Sequence, residues 1–205
     1  MTFGGAADEL DDDGFKASLG STDAYGPHPQ PPLFRIVFVC TGNICRSPMA
    51  EIVFRARVAE AGFASRVVVS SAGTGDWHVG EHADARTIRA LSDRGYDGSR
   101  HRARQFEAAD WADHDLVVVF DRGQERILKA WAPTETDRTK VQLLLSFDRE
   151  AGGPSGRGRA GDGTDVPDPY YSDASMFEVV LDMVEHASTA LFRQIEPALR
   201  QGSHQ

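Results

Sequence analysis

Cysteine is nearly absent: the 205-residue chain has two, Cys40 and Cys45. Two thiols cannot build a disulfide framework or a four-cysteine zinc site. Long apolar runs are missing as well. None approaches the ~18 residues that a membrane-crossing helix needs. No positive segment followed by an apolar one opens the chain, so no standard signal peptide is visible. A cytoplasmic protein without membrane contacts is expected, with unconventional export left open. Positive charge is the third shortage. Lys and Arg total 22 against 31 Asp and Glu, a formal net charge of −9. That balance argues against a general nucleic-acid binder and against docking on anionic lipid. Histidines at metal-ligand spacing are scarce too. Only His78 and His82 lie four apart, and Gly80 between them marks a loop rather than one helix face. No metal is expected.

What remains is a soluble composition, 40% apolar, with a length that suits one α/β domain plus tails. Residues 1–32 carry five of the nine net negative charges and are rich in Gly and Pro. Such a stretch buries little apolar area, so a disordered acidic tail is expected there. A single folded domain should then run over 33–202. Residues 149–164, with Gly152-Gly153-Pro154, lack periodicity and read as a long mobile loop inside it.

From Leu33 the pattern changes. Leu33–Val39 is a nearly continuous apolar run, as in a strand covered on both faces. Further strands are expected at 66–70, 116–120 and 141–145. Helices are expected after Ser47-Pro48, over 83–94, over 123–130 and over 174–200. Ser47 suits an N-cap with Pro48 at the first helical position, and Gly62 and Gly95 suit helix ends. This alternation implies a three-layer α/β/α fold on a parallel sheet. In such sheets ligands bind beyond the carboxyl ends of the strands, which is where Cys40 to Arg46 falls.

That segment is Cys40-Thr41-Gly42-Asn43-Ile44-Cys45-Arg46-Ser47. A loop between a buried strand and a helix start can aim several backbone N–H groups at an anion, aided by the helix dipole. Such a site favours the thiolate of Cys40. Arg46 adds a planar fork matched to phosphoryl oxygens. Gly42 permits a tight turn, and Asn43 tolerates a positive φ. Thiolate, arginine and N–H groups around one anion give the geometry for phosphoryl transfer to sulfur. A cysteine alone more often packs as a small apolar residue.

The run Val39 to Glu51 resembles the phosphate-binding loop of low-molecular-weight protein tyrosine phosphatases, most of all the actinobacterial type. The resemblance continues through Ser70–Gly80, His101–Gln105 and Asp168-Pro169-Tyr170-Tyr171, in the family's order. It implies a four-stranded parallel sheet of order 2-1-3-4 and hydrolysis of phosphotyrosine through a cysteinyl-phosphate. Cys40 would be the nucleophile, Arg46 would hold phosphate and stabilise the transition state, and Asp168 would be general acid and base. Val166-Pro167-Asp168-Pro169 also holds that carboxyl between two stiffening prolines. Thr41, Gly42, Asn43, Ile44 and Cys45 would line the loop. Ser47 would stabilise the thiolate, and Ser71 and His101 would help Asn43 hold the loop in shape. Trp77, Tyr170 and Tyr171 would wall the cleft, where aromatic faces suit a phenyl ring. Cys45 would form a protective disulfide with Cys40; a small filler is the alternative.

By the same resemblance no cofactor is needed, phosphate and vanadate should inhibit, phosphotyrosine-containing proteins are the partners, and a monomer is expected. Arsenate reductases of this fold need cysteines downstream of Cys45, and none occurs. Protein-arginine phosphatases of this fold favour Thr where this chain has Ile44, whose apolar side chain better suits a phenyl face. A catalytically dead phosphate-binding module is the third alternative, opposed by intact Cys40, Arg46 and Asp168.

Overall fold

The computed structural model describes residues 33–150 and 164–201. The expected tail over 1–32 and most of the expected loop near 149–164 lie outside the described residues.

Four strands form a fully parallel sheet: β1 (Phe34–Cys40), β2 (Val67–Gly73), β3 (Leu116–Val119) and β4 (Val141–Leu143). Their order is β2-β1-β3-β4, as the resemblance implies. The helices are α1 (Arg46–Glu60), α2 (Ala85–Asp93), α3 (Asp110–Asp113), α4 (Arg122–Trp131), α5 (Glu135–Lys140), α6 (Leu144–Glu150) and α7 (Ala174–Gln201).

Side chains of β1 alternate between two cores, as the period of a strand demands. Ile36, Phe38 and Cys40 pack with Met49 and Phe54 of α1 and with Phe177, Leu181 and Leu191 of α7. Val37 and Val39 pack on the other face with Val117, Val119, Leu128 and Trp111. Both faces are covered, which is why the strand reads as nearly unbroken hydrophobicity after Arg35. The helix ends also follow from sequence. Gly62 and Gly95 take φ of 81° and 82° just beyond α1 and α2, a region that costs glycine little.

Three expectations fail. The apolar run 141–145 is not one strand: β4 stops at Leu143, and Leu144 and Leu145 begin α6, both buried in the core shared with α7. A short apolar run cannot by itself separate a strand from a buried helix turn. The short helices α3 and α5 were not foreseen. Ser47 does not cap α1. The helix begins at Arg46, Cys45 stands at the N-cap without a side-chain bond, and Ser47 lies one residue inside. Its hydroxyl is engaged elsewhere.

Candidate active site

Cys40 ends β1 and is 3% exposed. The backbone then turns through Thr41–Cys45 into α1. Around this turn the carbonyls point outward into the protein. Those of Cys40 and Thr41 accept from the N–H groups of Thr74 and Gly75 at 2.8 and 3.0 Å. Those of Asn43 and Ile44 accept from His101 Nε2 at 2.7 Å and from the N–H of Asp84 at 2.9 Å. That of Cys45 accepts from the N–H of Met49 at 3.3 Å. Among the described residues no peptide is cis, so each N–H here opposes the preceding carbonyl. The N–H groups of Thr41, Gly42, Ile44, Cys45 and Arg46 therefore turn to the opposite side. Those five residues, with Cys40, line one cavity of about 330 Å³. The result is a concave cradle of donors at a helix start, an anion site by construction.

Asn43 holds this shape. It takes φ of 57° and is fully buried. Its Nδ2 donates to Ser47 Oγ and to Ser71 Oγ, both at 2.8 Å, and its Oδ1 accepts from the N–H of Arg104 at 2.9 Å. Ser71 Oγ donates to Glu51 Oε2 at 2.5 Å. His101 Nδ1 lies 3.8 Å from the same carboxylate. Burial pushes the His101 pKa below its ordinary value and so favours the neutral ring, whose Nε2–H donates to the Asn43 carbonyl. Ser47 Oγ accepts from Asn43 and lies 3.0 Å from Cys40 Sγ, against 3.3 Å from the Ala72 carbonyl. Its one proton can serve a thiolate at the nearer position. Gly73 lets the next strand approach: a Cβ there would lie 2.9 Å from the Thr41 carbonyl oxygen.

Arg46 is 3% exposed and heavily used. One terminal nitrogen donates to Asp121 Oδ2 at 2.9 Å and to the Val166 carbonyl at 3.2 Å. The other donates to Asp168 Oδ2 at 2.7 Å. Its Nε is buried with no partner. An unspent donor of this kind, on a side chain lining the donor cradle, fits an oxyanion ligand.

Asp168 lines the same cavity, and its Oδ1 accepts from the N–H of Tyr170 at 3.2 Å. Trp77, Tyr170 and Tyr171 complete the wall. Trp77 is 63% exposed and Tyr171 95%, and the two tyrosine rings meet edge to face at 4.9 Å. Gly75 makes room for Trp77: a Cβ there would fall 1.9 Å from the indole. The structure thus gathers Cys40, Thr41, Gly42, Ile44, Cys45, Arg46, Asp168 and the three aromatics at one cavity, with Asn43, Ser47, Ser71 and His101 as its support.

Several contributors were not foreseen. Asp121 caps α4 with one carboxylate oxygen, accepting from the N–H of Gln124 at 2.8 Å, and holds Arg46 with the other. Gln124 donates to Thr41 Oγ1 at 3.1 Å. Arg86 donates to the carbonyls of Tyr170 at 3.0 Å and Ser172 at 2.9 Å, tying the Asp168 segment to α2. His78, considered in the sequence only for its spacing to His82, lines the cavity and bonds Glu81 at 2.8 Å. Only the capping spacing Asp121-Arg122-Gly123-Gln124 left a trace in sequence, and that trace marks a helix start, not a site.

Both cysteines are free. Burial, then the charges of Asp84 and Cys40, push the Cys45 thiol up to about 12. Among the described residues, no group of three or more His, Cys, Asp or Glu could hold a metal ion. No helix among them is long and apolar enough to cross a membrane.

Comparison with known proteins gives this geometry a lineage. The profile described as Low molecular weight phosphotyrosine protein phosphatase matches residues 35–201. The chain belongs to that family. A low molecular weight protein-tyrosine-phosphatase of Streptomyces coelicolor is 52% identical over 162 residues, 79% of this chain and 93% of that protein. The low molecular weight protein-tyrosine phosphatase A of Mycobacterium tuberculosis is 40% identical over 164 residues, 80% of this chain and 93% of its own. The family fold is also recovered in solved structures. YfkJ from Bacillus subtilis superposes with a TM-score of 0.72 at 30% identity, covering 82% of this chain and 98% of its own. Wzb of Vibrio vulnificus, solved with benzylphosphonate, gives 0.64 at 27% identity, covering 79% and 99%. The family members bear out an actinobacterial kinship and a cysteine-based phosphatase family.

Proposed function

We propose that the chain hydrolyses phosphotyrosine in proteins, with Cys40 as nucleophile, Arg46 as phosphate clamp and Asp168 as general acid and base. The observation that carries the reading is the buried, unpartnered Nε of Arg46 beside a cradle of inward N–H groups and the Cys40 sulfur. A phosphate dianion satisfies all of these donors at once. The Cys40 thiolate attacks phosphorus, the bond from phosphorus to the phenolic oxygen breaks, and Asp168 supplies that oxygen's proton. Water then attacks the cysteinyl-phosphate. Asp168 takes a proton from it, the phosphorus–sulfur bond breaks, and inorganic phosphate leaves. Arg46 and the N–H groups hold the equatorial oxygens through both steps.

The ion pair of Arg46 with Asp168 gives way as phosphate arrives, which frees the carboxyl for the leaving oxygen. Trp77, Tyr170 and Tyr171 sandwich the phenyl ring, and Ile44 offers it an apolar face. Cys45 acts as the resolving thiol when Cys40 is oxidised. The catalytic unit is 33–202 and works as a monomer in the cytoplasm, with residues 1–32 outside the chemistry.

The test is turnover of phosphotyrosyl, phosphoseryl and phosphoarginyl peptides by the full chain, by residues 33–205 and by Cys40→Ser. Phosphotyrosine should lead, the shortened chain should match the full one within about twofold, and Cys40→Ser should have no turnover above background. Turnover surviving in Cys40→Ser overturns the mechanism. Phosphoarginine cleaved faster overturns only the specificity.

A further inference from the structure

A second cavity of about 330 Å³ lies behind the catalytic loop. Glu51, Ser71 and His101, which support Asn43 from the rear, form part of its wall. Four guanidinium groups line it, on Arg55, Arg100, Arg102 and Arg104, opposed by the carboxylates of Glu51 and Asp97. In a chain with a net charge of −9, this is a local excess of positive charge.

The four arginines are unequally spent. Arg104 is committed to Asp110 by two bonds of 2.9 Å. Arg55 is shared between Glu51 and the Val69 carbonyl. Among the described residues Arg102 reaches His82 Nδ1 at 2.7 Å and the His101 carbonyl at 2.8 Å, neither of them an anion. Arg100 has no hydrogen bond or ion pair among the described residues, although it lies near enough to Asp97 for their charges to interact. Asp97 itself accepts from the N–H of Ser99 at 2.9 Å. Two exposed guanidinium groups thus border a concave space, neither in an ion pair with a carboxylate among the described residues.

The lining also says what would not bind. Among the described residues Ile52 is the only aliphatic side chain in this wall, and no Phe, Tyr or Trp ring is part of it. The front cleft, of the same volume, carries Trp77, Tyr170 and Tyr171. The rear cavity has nothing to grip a phenyl group or an acyl chain, and several forks suited to phosphoryl oxygens. We infer that it is a second anion site, taking a small oxyanion of two or more charges such as a di- or triphosphate group.

Inorganic triphosphate titrated calorimetrically into the full chain saturated with vanadate tests this. Vanadate occupies the front loop, so any remaining heat reports elsewhere. About one equivalent of triphosphate should bind. Arg100→Ala combined with Arg102→Ala should weaken that binding about tenfold or more, with kcat and KM for a phosphotyrosyl peptide unchanged. Arg100→Gln alone, a single exposed side chain, should weaken it about threefold if the double variant does not fold. No binding to the vanadate-loaded enzyme, or binding indifferent to these arginines, overturns the inference. Failure of vanadate itself to bind counts against the front-site reading, and the arginine dependence still decides this one.

Discussion

The catalytic loop and the aromatic wall border one cavity and are built in opposite ways. In the loop, Asn43 is fully buried, Arg46 is 3% exposed, and the carbonyls of Cys40, Thr41, Asn43, Ile44 and Cys45 each have a named donor. In the wall, Trp77 and Tyr171 are more than half exposed, and Tyr171 meets Tyr170 edge to face. The loop has spent its polar groups on fixing one shape, and what it leaves unspent faces the anion. Electrostatic stabilisation requires this, because donors that must reorganise lose their advantage. The wall meets a flat ring by area alone, so it tolerates freedom that the loop cannot.

The sharpest way to break the comparison is at the reacting groups. Asp168→Asn removes the proposed acid and base yet keeps the side chain's size. It should lower kcat about 10²- to 10⁴-fold, with the greater loss on leaving groups of high pKa. Stopped assays with a phenyl phosphate series measure this. A uniform loss across leaving groups would remove Asp168 from proton transfer.

The next effect is on loop shape. Asn43→Ala deletes three side-chain hydrogen bonds and puts a less tolerant residue at φ of 57°. It should cost about 2–4 kcal/mol of stability and lower the melting temperature by about 5–10 °C. The kcat should fall with it. A stable variant with normal kcat would mean that the loop holds itself.

Cys45 offers a pH-dependent break. The fold holds its thiol up near 12, chiefly by burial, whereas an unfolded thiol ionises near about 8.5. The fold therefore favours the neutral form. That contribution is whole below the unfolded value and is lost as pH rises through the interval toward the folded one. Between about pH 8 and about pH 11 the melting temperature should fall more steeply in the wild type than in Cys45→Ala. Parallel falls would show that Cys45 ionises freely.

The smallest effect belongs to the wall. Trp77→Ala should raise KM for phosphotyrosyl peptides about three- to tenfold, at the cost of one stacking contact, and leave kcat within about twofold. A kcat loss as large as that of Asp168→Asn would erase the distinction between wall and loop.

The same contrast governs what could be read from the sequence. Cys40 to Ser47 is legible because the cysteine, its turn residues and the arginine are contiguous, and the flanking strand and helix announce themselves by pattern. The sheet order followed from the resemblance, not from any one strand. Asp121, Gln124, Arg86 and His78 were illegible because each meets the site only through the fold. Asp121 is 75 residues from Arg46, and its spacing to Gln124 advertises a helix cap. Ser47 was legible as important but not in its role. Ser-Pro at a helix start looks like a cap until the helix is seen to begin one residue earlier. The 141–145 run misled because Leu144 and Leu145 are buried, and a buried apolar pair reads alike as strand or helix turn.

The central place of β1 has one more consequence. It is paired along all seven residues with β2 and along four of them with β3, and Cys40 is its last residue. The amides of Ile36 to Val39, locked between two neighbours, should be among the slowest in the molecule to exchange with deuterium, opening only when the whole sheet comes apart. Local fluctuations reach the exposed wall first. Activity can therefore fade through the wall while the Cys40 sulfur is still in place, and the end of β1 is among the last parts of the enzyme to be lost.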